Sequence, residues 1–231
     1  MELDGARVLV TGGGRRVGRA LCDGLAVRGA RIAFTHRGTP PDAPGQHAIE
    51  ADLADALAAR AAVEAATVQL GGLDVLVHAA SGGFTPTAPD AVTPELFDEA
   101  IGATLRGGFF CAQAAHIAMA ERGGVIVLIT DVAIHQAWPQ FAPHAAAKAG
   151  LAQLTRSLAK AWAPGVRVCS VAPGPVLMPD SASDESIARH AAGTALGRLG
   201  SPADVVEAVV YLIGADFVTG TELVVDGGYR L

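Results

Sequence analysis

Three side chains that can give, take or stabilise a proton lie close together in this chain: Asp131, His144 and Lys148. His144 and Lys148 are four residues apart on a predicted helix and therefore share one face of it. Asp131 follows an apolar run, 125–130, that predicts a strand, and α/β sheets place their chemistry at strand carboxyl ends. A carboxylate, an imidazole and an ammonium together can transfer protons. Spacing alone does not establish such a site, because a histidine and a lysine on an exposed helix face are ordinary.

Strand-like runs alternate with helical patterns along the whole chain. Several runs are apolar throughout, as expected for parallel strands covered on both faces. Strands are predicted over 7–11, 31–36, 47–51, 75–79, 125–130, 166–172 and 222–226. Helices are predicted after the first strand and over 56–70, 94–120, 144–162 and 202–213, with Thr93 and Ser201 as N-caps. This order predicts one α/β domain over residues 1–231, a Rossmann-type, doubly wound parallel sheet with helices on both faces.

Composition narrows the class of protein. The chain has 231 residues, 51% hydrophobic and 17% charged, with a net charge of −6. These values exclude disorder and argue against nucleic-acid binding, which needs clustered basic residues. The three cysteines match no zinc or disulfide pattern, so we expect buried, reduced thiols and no metal site. With neither a signal peptide nor a membrane-spanning run, the sequence predicts a cytoplasmic protein.

The turn after the first strand is rich in glycine. Gly12, Gly14 and Gly18 precede an amphipathic helix, and Arg16 stands where a further glycine would be expected. Glycines let the backbone close on a phosphate, and a helix N-terminus offers free N–H groups to an anion. The turn therefore predicts nucleotide binding.

Basic residues end the second strand. In dinucleotide folds an acidic residue here binds the ribose 2′-hydroxyl of NAD, whereas basic residues accommodate the 2′-phosphate of NADP. His36 and Arg37 therefore favour NADP(H), and Arg16 is a candidate for the same phosphate. Asp52 follows the short third strand, where it can accept a hydrogen bond from the adenine amine or cap the helix that follows.

Taken together, these motifs resemble the short-chain dehydrogenase/reductase family. The resemblance covers essentially the whole chain and includes the ending from Thr219-Gly220 to Asp226-Gly227-Gly228. Within the family the chain looks most like the pteridine reductases, on the strength of Arg16, His36-Arg37 and Asp131. The resemblance implies a set of cofactor contacts: Gly12, Arg15, Arg16, Val17, His36, Arg37, Asp52, Leu53, Ala79, Ala80, Ser81, Lys148, Pro173, Gly174 and Val176.

Four positions depart from the family pattern. His144 stands where the family has its catalytic tyrosine, His78-Ala79 replaces the usual asparagine pair, and Thr104 replaces the asparagine of the long helix. An imidazolium is disfavoured by a neighbouring Lys148, but Asp131 opposes that effect. Our hypothesis is that Asp131 and His144 hold the proton that is donated, while Lys148 binds the nicotinamide ribose.

Three functions fit this sequence. The first is NADPH-dependent reduction of a C=N or C=O bond in a small, pterin-like or cyclic substrate. The second is a general carbonyl reductase of the 3-oxoacyl carrier-protein type, and the third is a nucleotide-binding protein that has lost catalysis. Substrate specificity is expected in the irregular segments 82–90, 131–143 and 178–192, the last as a lid. Candidate substrate contacts are Phe84, His135, Trp138 and Phe141.

The resemblance also implies an assembly. The helices that begin near Pro94 and His144 would form the helical interface of a homodimer within a homotetramer, whereas the alternative is internal packing alone. Light scattering distinguishes the two.

Overall fold

The computed structural model describes residues 1–179 and 182–231. Within them lies a seven-stranded, fully parallel sheet of order β3-β2-β1-β4-β5-β6-β7. The strands are β1 (Arg7–Thr11), β2 (Arg31–His36), β3 (His47–Glu50), β4 (Val75–His78), β5 (Gly124–Ile129), β6 (Val166–Pro173) and β7 (Glu222–Val225). The predicted single-domain fold is confirmed, with strand ends shifted by one residue at most.

The described part of the chain contains seven α-helices. They are α1 (Arg16–Ala26), α2 (Ala56–Leu70), α3 (Pro94–Ile101), α4 (Gly107–Ala118), α5 (Ala142–Trp162), α6 (Asp184–Ala192) and α7 (Pro202–Gly214). Alternate strand residues face opposite layers. Leu9, Leu76 and Ile126 pack with the layer of α2, α4 and α5. Val10 and Val77 pack with the layer of α1 and α7.

The helix predicted over 94–120 is interrupted. Gly102–Arg106 forms a π-helical turn between α3 and α4, and the N–H of Gly107 donates to the carbonyl of Gly102. The side chain and carbonyl of Thr104 are bonded outside the helix, to the N–H of Gly82 and to His78. A regular helix was therefore the wrong prediction here, because tertiary hydrogen bonds outweigh helical periodicity.

The predicted caps are present. Thr93 accepts from the N–H of Leu96, and Ser201 forms a capping box with Asp204.

All three cysteines are buried, and burial raises the pKa of the Cys22 and Cys111 thiols to about 12. Among the helices of the described residues, none has the length and hydropathy needed to cross a bilayer.

The strand order sets the position of the site. β1 lies between β2 and β4. The chain adds β2 and β3 on one side of β1 and then crosses over to add β4 on the other side. A crevice opens where the direction reverses, at the carboxyl ends of these strands. The glycine turn follows β1, Ala79 follows β4, Asp131 follows β5 and Gly174 follows β6. Helix α5 brings His144 and Lys148 to the same edge.

Candidate active site

Asp131 and His144 form a pair at the end of β5. Asp131 is the N-cap of a short 3-10 turn, Val132–His135, and its Oδ1 accepts from the N–H of Ala133 at 2.8 Å. This bond fixes the carboxylate, and its second oxygen lies 3.3 Å from His144 Nε2. The side chain of His144 is 5% exposed. The predicted juxtaposition is therefore present, with the carboxylate oriented by its own turn.

Lys148 lies one helical turn after His144 and is buried. Its Nζ donates to the carbonyl of Ile129 at 2.7 Å. Burial lowers the pKa of Lys148 to about 8, and the negative charge of Asp131 partly opposes this shift. The ammonium thus has a fixed position and is easier to deprotonate than an ordinary lysine.

An aromatic cluster reaches the ring of His144 through Phe84. Phe84 meets this ring edge-on at 4.7 Å between centroids and stacks on Phe141 at 4.4 Å. Trp138 lies 6.1 Å from Phe141. Three of the four predicted substrate contacts therefore belong to one aromatic cluster beside His144. The fourth, His135, points elsewhere, because its Nε2 is bonded to Glu222 at 2.8 Å.

His78 has a buried role that its sequence position did not reveal. The Thr11 hydroxyl donates to Nδ1 at 2.8 Å, and Nε2 donates to the carbonyl of Thr104 at 3.0 Å, a tautomer assigned from these partners. Burial and the positive charge of Lys148 lower the pKa of His78 to about 4. His78 is therefore neutral and joins β1, β4 and the π turn. A histidine inside an otherwise apolar strand was the available signal.

The glycine turn is tight because backbone segments approach it closely. Gly12 has φ +68°, and a Cβ there would lie 2.8 Å from Ala80 Cα. A Cβ at Gly18 would overlap the carbonyl oxygen of Gly12. Arg16 adopts φ +51°, a conformation that favours glycine. Helix α1 begins at this residue with no side-chain cap among the described residues.

The basic residues of the predicted phosphate site are arranged differently from expectation. Arg37 is exposed at the end of β2, and its nearest acidic atom is Asp52 Oδ1, at 4.0 Å. His36 Nδ1 is bonded to the carbonyl of Gly38. The guanidinium of Arg16 donates to the carbonyl of Leu177, after β6, so it extends away from β2.

Asp52 does not cap the next helix. Its Oδ1 accepts from the N–H of Ala54 at 3.1 Å within the preceding turn. Asp55 is the N-cap of α2 and accepts from the N–H of Ala58 at 2.7 Å. Capping by Asp52 required a helix that begins directly after this residue, but α2 begins at Ala56, about one turn later.

The remaining predicted cofactor residues differ in exposure and in their partners. Ala79 and Ala80 donate to the carbonyl and hydroxyl of Thr11, and Ser81 and Arg15 are exposed. Val17 is half-buried and Leu53 lies in the core. Gly174, after Pro173, donates to the carbonyl of Val225. Val176 instead lines a cavity of about 440 Å³ that it shares with Leu196, Arg198 and Asp226.

Segment 178–192 is not irregular throughout. Residues 180 and 181 lie outside the described residues, and Asp184–Ala192 forms α6. Ser183 caps this helix by accepting from the N–H of Ser186. Acidic residues in its first turn and basic residues in its last turn complement the helix dipole.

Comparisons with known proteins agree with this architecture. A family model described as Enoyl-(Acyl carrier protein) reductase matches residues 14–230. The chain belongs to the short-chain dehydrogenase/reductase family of oxidoreductases. It is 34% identical to L-rhamnose 1-dehydrogenase (NAD(P)(+)) of Azotobacter vinelandii, over 96% of this chain and 95% of the relative. It is 32% identical to 3-oxoacyl-[acyl-carrier-protein] reductase FabG of Staphylococcus aureus, over 95% and 96%.

A solved structure shows the same fold with its cofactor. A short-chain dehydrogenase of Burkholderia cenocepacia in complex with NADP has a TM-score of 0.90 and 30% identity, and the comparison covers 100% of each chain. The short-chain dehydrogenase/reductase of Serratia marcescens has a TM-score of 0.91 and 31% identity, again over 100% of each chain.

Proposed function

We propose that this protein uses NADPH to reduce a C=O or C=N bond of a small cyclic substrate, with the Asp131–His144 pair supplying the proton. The pair itself carries the proposal, because an oriented carboxylate 3.3 Å from a buried imidazole nitrogen is suited to hold a proton. This proposal includes the pteridine-like substrate class that Arg16, His36-Arg37 and Asp131 favour.

The residues of the crevice fit a dinucleotide. The backbone packs so closely at Gly12 and Gly18 that neither position has room for a side chain. The first N–H groups of α1 are available to bind an anion. Arg15 and Arg37 add exposed positive charge. The bound nicotinamide would supply the hydride, and Lys148 would hold the adjoining ribose.

The proton comes from the protein. His144 Nε2 lies 3.3 Å from Asp131 Oδ2, so the carboxylate can accept the hydrogen of this nitrogen and orient the ring. Among the described residues the other ring nitrogen, Nδ1, has no hydrogen-bond partner. The proton on Nδ1 would pass to the substrate oxygen or nitrogen when the carbon is reduced, while the hydrogen on Nε2 stays bonded to Asp131. An imidazolium is a stronger acid than a phenol and its conjugate base is weaker, which favours reduction over alcohol oxidation.

Arg37 tests the choice of cofactor. Removing its guanidinium in Arg37→Ala should raise the KM for NADPH roughly tenfold and leave the KM for NADH within about twofold, because only NADPH carries the 2′-phosphate. Initial-rate kinetics with both cofactors measure this. Arg31→Ala, an exposed arginine at the other end of β2, is the matched control. An equal loss with both cofactors would show that Arg37 does not recognise the phosphate.

A second candidate is a general carbonyl reductase of the 3-oxoacyl carrier-protein type. The similarity to the Staphylococcus reductase favours it. The exposed face of Phe84, stacked on Phe141, favours the first candidate because a planar ring can pack against it.

A substrate panel separates these functions. NADPH oxidation should be fastest with cyclic imines or dihydropterins, slower with linear 3-oxoacyl thioesters, and slowest in the reverse direction with alcohols and NADP⁺. Fastest turnover of the thioesters would assign the second function. Fastest oxidation of alcohols would refute the proposal, and NADPH binding without turnover of any substrate would indicate a protein that has lost catalysis.

A further inference from the structure

The turn that carries Asp131 is held at both ends by one carboxylate. The hydroxyl of Thr130, just before Asp131, donates to Glu222 Oε2 at 2.7 Å. His135, at the end of the 3-10 turn, lies 2.8 Å from Glu222 Oε1 through its Nε2. Glu222 begins β7, and its side chain is 15% exposed. Both of its oxygens are thus bonded to the segment that positions Asp131.

The C-terminal residues contact the same segment a second time. Gln136 Nε2 donates to the carbonyl of Tyr229 at 3.0 Å. The ring of Tyr229 is stacked on His190 of α6 at 6.2 Å and 16°. A Cβ at Gly193, just after α6, would lie 3.0 Å from the Tyr229 ring. Tyr229 therefore lies between the Asp131 segment and α6, the helix within the predicted lid.

The turn that presents Tyr229 is itself fixed. Asp226 Oδ1 accepts from the N–H of Gly228 at 2.8 Å, and its Oδ2 accepts from the N–H of Arg230 at 3.1 Å. Gly227 and Gly228 both have positive φ, which closes the turn tightly. The carbonyl and ring of Tyr229 consequently have defined positions relative to β7.

We propose that Glu222 and Tyr229 are positioning residues for the reductase site: Glu222 holds Asp131 against His144, and Tyr229 holds α6, the helix within the segment that we expect to contact the substrate. The inference rests on the proposed function for its kinetic consequences, but its structural consequences are measurable without turnover. On this proposal, the C-terminal segment 222–230 fixes the positions of the Asp131–His144 pair and of helix α6.

The role of Glu222 is tested by comparing the variants Glu222→Leu and Glu222→Gln. Glu222→Leu should lower kcat about tenfold at unchanged KM for NADPH, because a displaced Asp131 no longer orients the ring of His144. Glu222→Gln keeps one acceptor oxygen for His135, and its amide can donate to the Thr130 hydroxyl, which then donates to the carbonyl of Val171 instead. This variant should stay within about threefold of wild type. Glu207→Leu, an exposed residue paired with Arg28 on the opposite layer, is the control.

An activity-independent measurement accompanies these kinetics. The ¹⁵N shifts of the His144 ring, assigned from their loss in His144→Ala, should change in Glu222→Leu and remain close to wild type in Glu222→Gln. If the ring shifts and kcat of Glu222→Leu both match those of wild type, Glu222 does not position Asp131. If wild type turns over none of the substrates, the proposed function fails, and the ring shifts still decide the role of Glu222.

The role of Tyr229 is tested by measuring amide hydrogen exchange in α6 and the KM for the substrate. Tyr229→Ala should raise the substrate KM about fivefold with little change in kcat, and should speed amide hydrogen exchange within Asp184–Ala192, because the ring that packs on His190 is lost. Tyr229→Phe keeps the ring and should behave as wild type. Tyr211→Ala, the chain's other tyrosine and exposed on α7, is the control. Unchanged exchange in Tyr229→Ala would overturn this part of the inference.

Discussion

Replacing His144 with alanine should lower kcat/KM for the preferred substrate by a factor of about 10² to 10⁴, the usual contribution of a positioned acid or base. The imidazole is buried, is bonded to Asp131 at 3.3 Å and is the group proposed to give up a proton. NADPH affinity, measured by fluorescence titration, should change little because the ring is not expected to bind the nucleotide. Steady-state kinetics on the substrate chosen by the panel provide the test.

Two comparisons separate a chemical role from a packing role. Asp131→Asn should also lower kcat/KM, and the double variant should be no worse than His144→Ala alone, since the pair acts as one unit. His144→Tyr, which replaces one proton donor with another, should retain more activity than His144→Ala. His47→Ala, on exposed edge strand β3, is the control. Near-wild-type kcat/KM in His144→Ala would refute the proposed donor.

Replacing Lys148 with methionine should separate activity from stability. Activity should fall at least about 100-fold, because the ammonium proposed to hold the ribose is lost. The free energy of unfolding at pH 7 should fall little or even rise. Keeping a lysine charged with a pKa of about 8, against an ordinary 10.5, costs the folded state about 3 kcal/mol. Loss of the bond to the Ile129 carbonyl partly offsets this gain.

The pH dependence of stability provides a second readout for Lys148. Below pH 8 the lysine is protonated in both the folded and the unfolded state, so its cost is fully present. Between pH 8 and 10.5 the unfolded state binds more protons, so wild-type stability should rise relative to Lys148→Met. Urea titrations across this range measure the difference. Lys160→Met, the chain's only other lysine and exposed on the same helix, should show neither effect.

Sequence patterns predicted the strands, the helix caps and the shared helix face, because these features depend on residues that are close in sequence. The apolar runs became strands, of which the central ones are buried, and Thr93 and Ser201 became caps. The spacing of His144 and Lys148 placed both on one face of α5. The π turn at Gly102–Arg106 was not predictable in this way, since it depends on His78 and Gly82, more than 20 residues away.

The orientation of side chains at the site was likewise a tertiary outcome. Arg16 is bonded to Leu177 rather than directed toward Arg37, and His135 is bonded to Glu222 rather than to the aromatic cluster. Each partner lies far away in the chain, so spacing carried no information about it. Segment 178–192 was expected to be irregular because its polar composition hides the Ser183 cap and the charges that stabilise α6.

The sequence by itself determined the sheet, the glycine turn and the family, because periodicity, glycine placement and motif order are properties of neighbouring residues. It also named Asp131, His144 and Lys148. Only the tertiary structure decided that Asp131 lies 3.3 Å from His144 Nε2, and that Lys148 is buried with a pKa of about 8. It also decided that Glu222 is bonded to Thr130 and His135, on either side of the Asp131 turn. Distances, burial and electrostatic environment arise when distant segments pack together, and they determine which of these groups can carry a proton.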